Sequence, residues 1–194
     1  VMPVLNMVEA INLALKQEMQ KDKSVVVCGE DVARNGGVFR VTDKLAELYD
    51  GRCFDTPLAE AGIVGTALGM AAFGLKPVVV IQFEGFISLA FDQILNNVSR
   101  LRNRSRGRFH VPLVIRSPYT GGVKAFEHHS ESIEAFYAHI PGIKVVSPSS
   151  PYAAKGLLIS AIRDPDPVLF LEPKRVYRAI KEEVPQEEYT IPLG

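Results

Sequence analysis

Tryptophan is absent from this 194-residue chain, and cysteine occurs only twice, at Cys28 and Cys53. Two thiols in apolar, strand-like contexts fit reduced core cysteines in a cytoplasmic protein rather than a disulfide framework. Net charge is missing too: 22 lysines and arginines balance 22 aspartates and glutamates. No global field therefore draws the chain to nucleic acid or to an acidic membrane surface. No stretch reaches the roughly 18 uninterrupted apolar residues that a membrane span requires. The N-terminal VMPVLNMVEA has no charged region ahead of an apolar core, so the expectation is a soluble, unexported protein. There is no GxGxxG after the first strand, no Walker A lysine loop and no GxSxG. Nucleotide binding and serine hydrolysis lose their usual support.

What is present is a 47% apolar chain whose pattern alternates between strand and helix. Val8, Ile11, Leu15 and Met19 recur at spacings of three and four, which predicts a helix from Asn6, its cap, to about Lys21. SVVVCGED then reads as a buried strand ending in a glycine and two acids, and a short helix is expected over 44–49. RCFDTP leads into a glycine-rich helix, with Thr56 as its cap and Pro57 at its first position. KPVVVIQF, PLVIRSP, IKVVSP and PVLFLEP read as further strands, separated by helices over 87–102, 131–139 and 151–162. Buried strands separated by helices predict an α/β fold, a doubly wound, mainly parallel sheet with helices on both faces. Such sheets bind ligands beyond the carboxyl ends of their strands. Residues 1–178 form the expected domain, and the charged, proline-containing 179–194 reads as a linker or arm.

In TPLAEAGIVGTALGMAAFG, Gly62, Gly65 and Gly69 share one helix face, and Glu60 lies roughly opposite. Each glycine costs about 1 kcal/mol against alanine, so the stripe suggests close approach of a neighbouring backbone. Glu60 has two readings: a first-turn acid complementing the helix dipole, or a desolvated carboxylate able to share a proton with a ligand nitrogen. Glu30 and Asp31 are either a solvated loop or, at a strand's carboxyl end, part of a site. Phe83 and Phe86 are either core or a face for a flat ligand. The five arginines from Arg100 to Arg108 complement a helix end or contact a partner; interleaved aromatics that would suit nucleic acid are missing. Among His128, His129 and His139, the first two are adjacent and cannot readily bind one zinc ion together. A histidine near the glycine-bearing loop suits a proton or hydrogen-bond donor instead.

Taken together, GEDV, FDTPLAEAGIVGTALGMAAFGLKPVVVIQF, FDQI, HVPLVIRSP, HHSES, PGIKVVSPSSPYAAKGLL and AIRDPDPVLFLEPK resemble the beta subunit of thiamine-diphosphate-dependent 2-oxo acid dehydrogenases, the pyruvate and branched-chain family. The resemblance runs from the N-terminus to about residue 190 and covers the pyrimidine-binding domain of such a subunit, not the C-terminal domain that follows it. It implies that Glu60 hydrogen-bonds the cofactor's aminopyrimidine nitrogen and that Phe86 lies beside that ring. Glu30 matches an acid in the polar path linking paired active sites, and His129 matches the histidine near which substrate and lipoyl group meet. Leu113, Ala161, Asp164 and Asp166 match a potassium site held largely by main-chain oxygens.

The resemblance implies an alpha subunit as partner, two alpha with two beta chains, since the diphosphate and magnesium motif of the GDG…N type is nowhere in the sequence. It also implies a lipoyl acyltransferase core as acceptor and pyruvate or a branched 2-oxo acid as substrate. Two readings stand beside it: a non-catalytic assembly module of the same fold, and a transketolase-type synthase.

Overall fold

The computed structural model describes residues 2–194. In chain order its elements begin with β1 (Val4–Leu5), α1 (Met7–Lys21), β2 (Val25–Gly29), α2 (Leu45–Leu48), β3 (Cys53–Asp55), α3 (Glu60–Ala72) and β4 (Lys76–Val80). They continue with α4 (Glu84–Ile87), α5 (Leu101–Arg104), β5 (Val114–Tyr119), α6 (Glu134–Ala138), β6 (Lys144–Val146), α7 (Pro151–Arg163), β7 (Val168–Pro173) and β8 (Glu182–Glu183). Six strands form one sheet in the order β3-β2-β4-β5-β7-β6, and all five pairings are parallel. The doubly wound α/β expectation holds.

Strand pleating explains why the apolar runs are continuous. Val27, Val78, Val114 and Phe170 point into one core with α1 and α7. Their neighbours Cys28, Val79, Ile115 and Leu171 point into a second core with α3 and α6. Both faces of the sheet are thus covered, so neither register of the alternation is left to polar residues. On α1 the spaced residues Val8, Ile11, Leu15 and Met19 are all buried, each stabilising by roughly 1.5–3 kcal/mol. The helix starts where Asn6 Oδ1 accepts the Glu9 N–H at 3.0 Å and Glu9 Oε2 accepts the Asn6 N–H at 2.8 Å, a reciprocal capping box. Ser150 caps α7 by accepting the Ala153 N–H.

Two local expectations change, and a third is narrowed. First, α3 begins at Glu60, with Ala59 before it and no side-chain cap. The Thr56 N–H instead extends the β2–β3 ladder to the Gly29 carbonyl at 2.9 Å, which holds residue 56 out of the helix. Second, the expected helix over 87–102 is irregular. It comprises α4, a 3₁₀ turn at Ser88–Ala90, a π-helical stretch at Gln93–Val98, and α5. Ser99 Oγ donates to the Leu95 carbonyl within this run, the kind of side-chain competition that loosens regular winding.

Third, the glycine stripe of α3, which suggests a close backbone neighbour, meets none among the described residues. A Cβ at Gly69 would meet nothing within 4 Å, one at Gly62 only the Ala59 Cβ at 3.7 Å, and one at Gly65 the Gln93 side chain at 3.5 Å. This helix face looks outward, beside exposed Leu58 and Phe73.

Residues 179–194 run as an ordered arm against α1 and α7. The β8 strand pairs antiparallel with β1. Fully buried Lys155 donates to the Pro185 and Glu187 carbonyls, and Tyr189 stacks on Tyr152 at 4.5 Å. Gly156 leaves the space for this, since a Cβ there would come within 2.9 Å of Tyr189 and Ile191 side-chain atoms. None of the described helices is long and apolar enough to cross a membrane.

Candidate functional site

Two groups of side chains assemble beyond the carboxyl ends of the strands. The first is acidic. At the end of β2, Gly29 adopts φ 141°, and a Cβ there would lie 2.2 Å from the Val80 carbonyl oxygen. Only glycine lets the chain turn this closely past β4. The turn places Glu30 inward, 2% exposed. Its Oε2 accepts the Gln82 N–H at 2.9 Å, while its Oε1 has no hydrogen-bond partner among the described residues. Burial lifts the Glu30 carboxyl from an ordinary 4.5 to about 7; the Gln82 N–H opposes this, and the nearby charges of Glu60 and Asp31 reinforce it.

Glu60, the first residue of α3, is half-buried. Of the two acids it is Glu30 that is buried, because the α3 N-terminus opens outward next to exposed Ala59 and Ala61. The two acids nonetheless sense one another electrostatically. Glu30 also shares a narrow cavity with Arg116, Glu172 and Tyr177.

The Glu30 proton gives a measurable linkage. The group is protonated in the folded chain below about pH 7 but ionises in the unfolded chain near 4.5. Its contribution to stability is thus fully present below the unfolded value and lost as pH rises through about 7. Glu30→Gln should be favoured over wild type by about 3 kcal/mol more at pH 8 than at pH 4. Urea unfolding of both proteins across that range would show it, and a pH-independent difference would refute the buried-acid assignment.

The second group is aromatic. Phe83 precedes α4 and Phe86 lies within it, with rings 6.5 Å apart. His129 sits 4.5 Å from the Phe83 ring and 5.3 Å from the Phe86 ring. Its Nδ1 is 3.0 Å from the Glu127 carbonyl oxygen, which can only accept, so Nδ1 carries the proton and Nε2 is the free nitrogen. His128 also borders this group, its ring 5.4 Å from the Phe86 ring; it adopts φ 74°, and its Nδ1 is 3.3 Å from Glu131 Oε1. His139 is exposed at the end of α6. The segment after β4 joins the two groups: Gln82 donates from its backbone to Glu30 and from its side chain to Asp31 at 2.6 Å, and Phe83 follows directly.

Leu113, Ala161, Asp164 and Asp166 gather at the opposite end of the sheet. The Leu113 carbonyl accepts the Val168 N–H and the Ala161 carbonyl accepts the Asp164 N–H, leaving each oxygen a second lone pair. The carboxylates are engaged otherwise. Asp164 pairs with Lys144 at 2.6 Å and Asp166 with Arg102 at 2.6 Å. Main-chain oxygens, not carboxylates, are the groups left for a monovalent cation here.

Three charged residues escaped the sequence reading. Arg116, Glu172 and Glu84 are each at most 2% exposed. A charge inside a fully apolar parallel strand, as in VIRSP and LFLEP, was the available signal.

The profile of the transketolase pyrimidine-binding domain matches residues 4–180. The chain belongs to that family. Among relatives of this pyrimidine-binding family, it is 57% identical over all 194 residues to the pyruvate dehydrogenase E1 component subunit beta of Acholeplasma laidlawii. It is 54% identical to the same subunit of Bacillus subtilis and 50% identical to the 2-oxoisovalerate dehydrogenase subunit beta of that organism. The chain spans about 60% of the length of these relatives. A solved structure described as a split-gene transketolase, an inactive beta4 tetramer, superposes with a TM-score of 0.69 at 21% identity, covering 86% of this chain and 50% of that one. That likeness speaks for the fold.

Proposed function

We propose that this chain is the pyrimidine-binding part of the beta subunit of a thiamine-diphosphate-dependent 2-oxo acid dehydrogenase. In this reading it acts in the cytoplasm with an alpha subunit, two of each, and hands the acyl unit to lipoyl groups on an acyltransferase core. The observation that carries the reading is the match to pyruvate and 2-oxoisovalerate dehydrogenase beta subunits, 50–57% identical along the whole chain. The outward glycine face of α3 supports a partner subunit, since small residues exposed beside Leu58 and Phe73 allow close packing of a second helix.

The residues present fit the cofactor's aminopyrimidine. Glu60 offers a carboxylate that is half open, Phe86 a half-buried ring, and Glu30 a buried oxygen with no hydrogen-bond partner among the described residues. When bound, thiamine diphosphate supplies the electron sink for decarboxylation of a 2-oxo acid. Glu60 holds and exchanges a proton at the pyrimidine nitrogen. Glu30, with its carboxyl near neutrality, is matched to pass a proton at working pH. His129 presents Nε2 towards substrate and lipoyl group, and Phe83 and Phe86 exclude water around it. A potassium ion at Leu113, Ala161, Asp164 and Asp166 would be held by their main-chain oxygens and would brace the foot of the sheet.

Reconstitution tests the assignment. The full beta chain alone should neither bind thiamine diphosphate tightly nor decarboxylate, and adding its alpha subunit should restore both. Pyruvate should be turned over faster than 2-oxoisovalerate, in line with the higher identity to the pyruvate enzymes. An assembled complex that binds cofactor but decarboxylates neither acid would favour the assembly-module reading. Turnover of sugar phosphates instead would favour the synthase.

A further inference from the structure

The loop 120–133 carries His129, and the first turn of α4 is shaped to receive it. Within the loop, the Thr120 N–H donates to the Glu131 carbonyl at 2.9 Å, Ser130 Oγ to the Val123 carbonyl at 2.7 Å, and the His128 N–H to Glu131 Oε1 at 2.9 Å. These bonds set the loop's shape but not its place. Its place comes from residues 83–86. A Cβ at Gly85 would lie 2.4 Å from the His128 Cα and 2.6 Å from its carbonyl oxygen, so the loop backbone rests directly on α4. The Phe83 and Phe86 rings flank His129. Between them Glu84, 1% exposed, reaches across 49 residues of chain to accept the Ile133 N–H on Oε1 at 3.0 Å. This is the one described hydrogen bond between the loop and α4.

A buried carboxylate is a costly way to make such a bond: burial pushes the Glu84 carboxyl up to about 7, and the Ile133 N–H and Lys174 offset this only in part. Lys174, 8% exposed, faces Glu84 and lies 5.4 Å over the Phe83 ring. Glu131 and Glu134 oppose Glu84 with like charge, and the buried Tyr137 hydroxyl lies within its field. The position therefore combines three contacts on one turn: a ring pair for the imidazole, a gap for the loop backbone, and an acceptor for the loop's final N–H.

We propose that Glu84 is a positioning residue that seats the 120–133 loop on α4 and so presents His129 beside Phe86. The role rests on the reading of His129 as a site residue, but the seating itself does not.

Two readouts separate these. In the full beta chain assembled with its alpha subunit, Glu84→Ala removes the acceptor, Glu84→Asp retracts it by one methylene, and Glu84→Gln keeps an oxygen in place. Amide hydrogen exchange of residues 120–133 should quicken by about tenfold in the Ala and Asp variants and stay near wild type in Gln. Turnover with lipoyl acceptor should fall by about ten- to a hundredfold in Ala and Asp through kcat, with KM for the 2-oxo acid little changed. Unchanged exchange in both Ala and Asp overturns the proposal, as does a Gln variant as loose as Ala, which would make charge the agent instead of the acceptor. The Asp variant keeps the test decisive if Ala does not fold. Loosened exchange with full turnover upholds the seating and overturns the role of His129.

Discussion

Glu60→Gln is expected to lower turnover of the assembled enzyme by at least about a hundredfold, while changing unfolding free energy by less than about 1 kcal/mol. Both halves follow from its place at the start of α3. The side chain is half-buried and is neither donor nor acceptor in any described hydrogen bond. Its native role reduces to the attraction between a first-turn acid and the helix dipole, worth about 0.3–1 kcal/mol. Glutamine preserves the shape and an acceptor oxygen but cannot hold a proton in exchange with a ring nitrogen. A second consequence is independent of turnover: removing the Glu60 charge removes one of the causes that raise the Glu30 carboxyl. The Glu30 titration, followed by carboxyl NMR in the isolated chain, should therefore move to lower pH. Near-normal turnover would sink the assignment of Glu60; an unmoved Glu30 titration would show that the two acids are not electrically coupled.

The largest stability effect is expected at Glu172. Arg116, 2% exposed, donates from Nε at 2.6 Å and from Nη2 at 2.9 Å to the two oxygens of Glu172, which is fully buried. The Tyr177 hydroxyl donates to the same carboxylate. Burial first, and the Glu172 charge beside it, hold the Tyr177 phenol well above its ordinary range. Glu172→Ala leaves a guanidinium enclosed without a counter-charge, and it should destabilise the chain by about 3–5 kcal/mol. Arg116→Met with Glu172→Met removes both charges and should cost far less, because no lone ion remains. Urea unfolding of the single and double variants would decide it. A Glu172→Ala cost below about 1 kcal/mol would mean that water reaches Arg116 and that the pair behaves as a surface one.

Much of this architecture was legible because apolar runs and caps act locally. VVVCG and KPVVV form neighbouring strands, Asn6 and Ser150 cap their helices, and Val8, Ile11, Leu15 and Met19 line one buried face. The start of α3 was misplaced because Thr56 has a competing partner, the Gly29 carbonyl, that no local rule can see. The glycine stripe pointed to a close backbone neighbour without saying whose, because sequence cannot tell a face that packs within the chain from one left for another. Glu30 and Glu60 both stand out in the sequence, but which of them is the buried one was not legible there. Burial depends on which strand end closes over a residue, and here Gly29 turns Glu30 inward. Glu84 went unnoticed because its partner is a backbone N–H 49 residues away.

The arm over α1 and α7 also sets an order of events. Gln17 and Lys21 find partners 169 and 167 residues later in the chain, and β1 waits for β8. At a synthesis rate of about 5–20 residues per second, those partners emerge roughly 10–30 s after the helix they cover. The sheet can collapse around its central strands during that interval, whereas the clasp joining the two ends of the domain is a late, long-range closure. Lys155 waits less, since its carbonyl partners lie 30 and 32 residues ahead. Until the arm arrives, that ammonium remains hydrated, so docking of the arm also withdraws a cation from water.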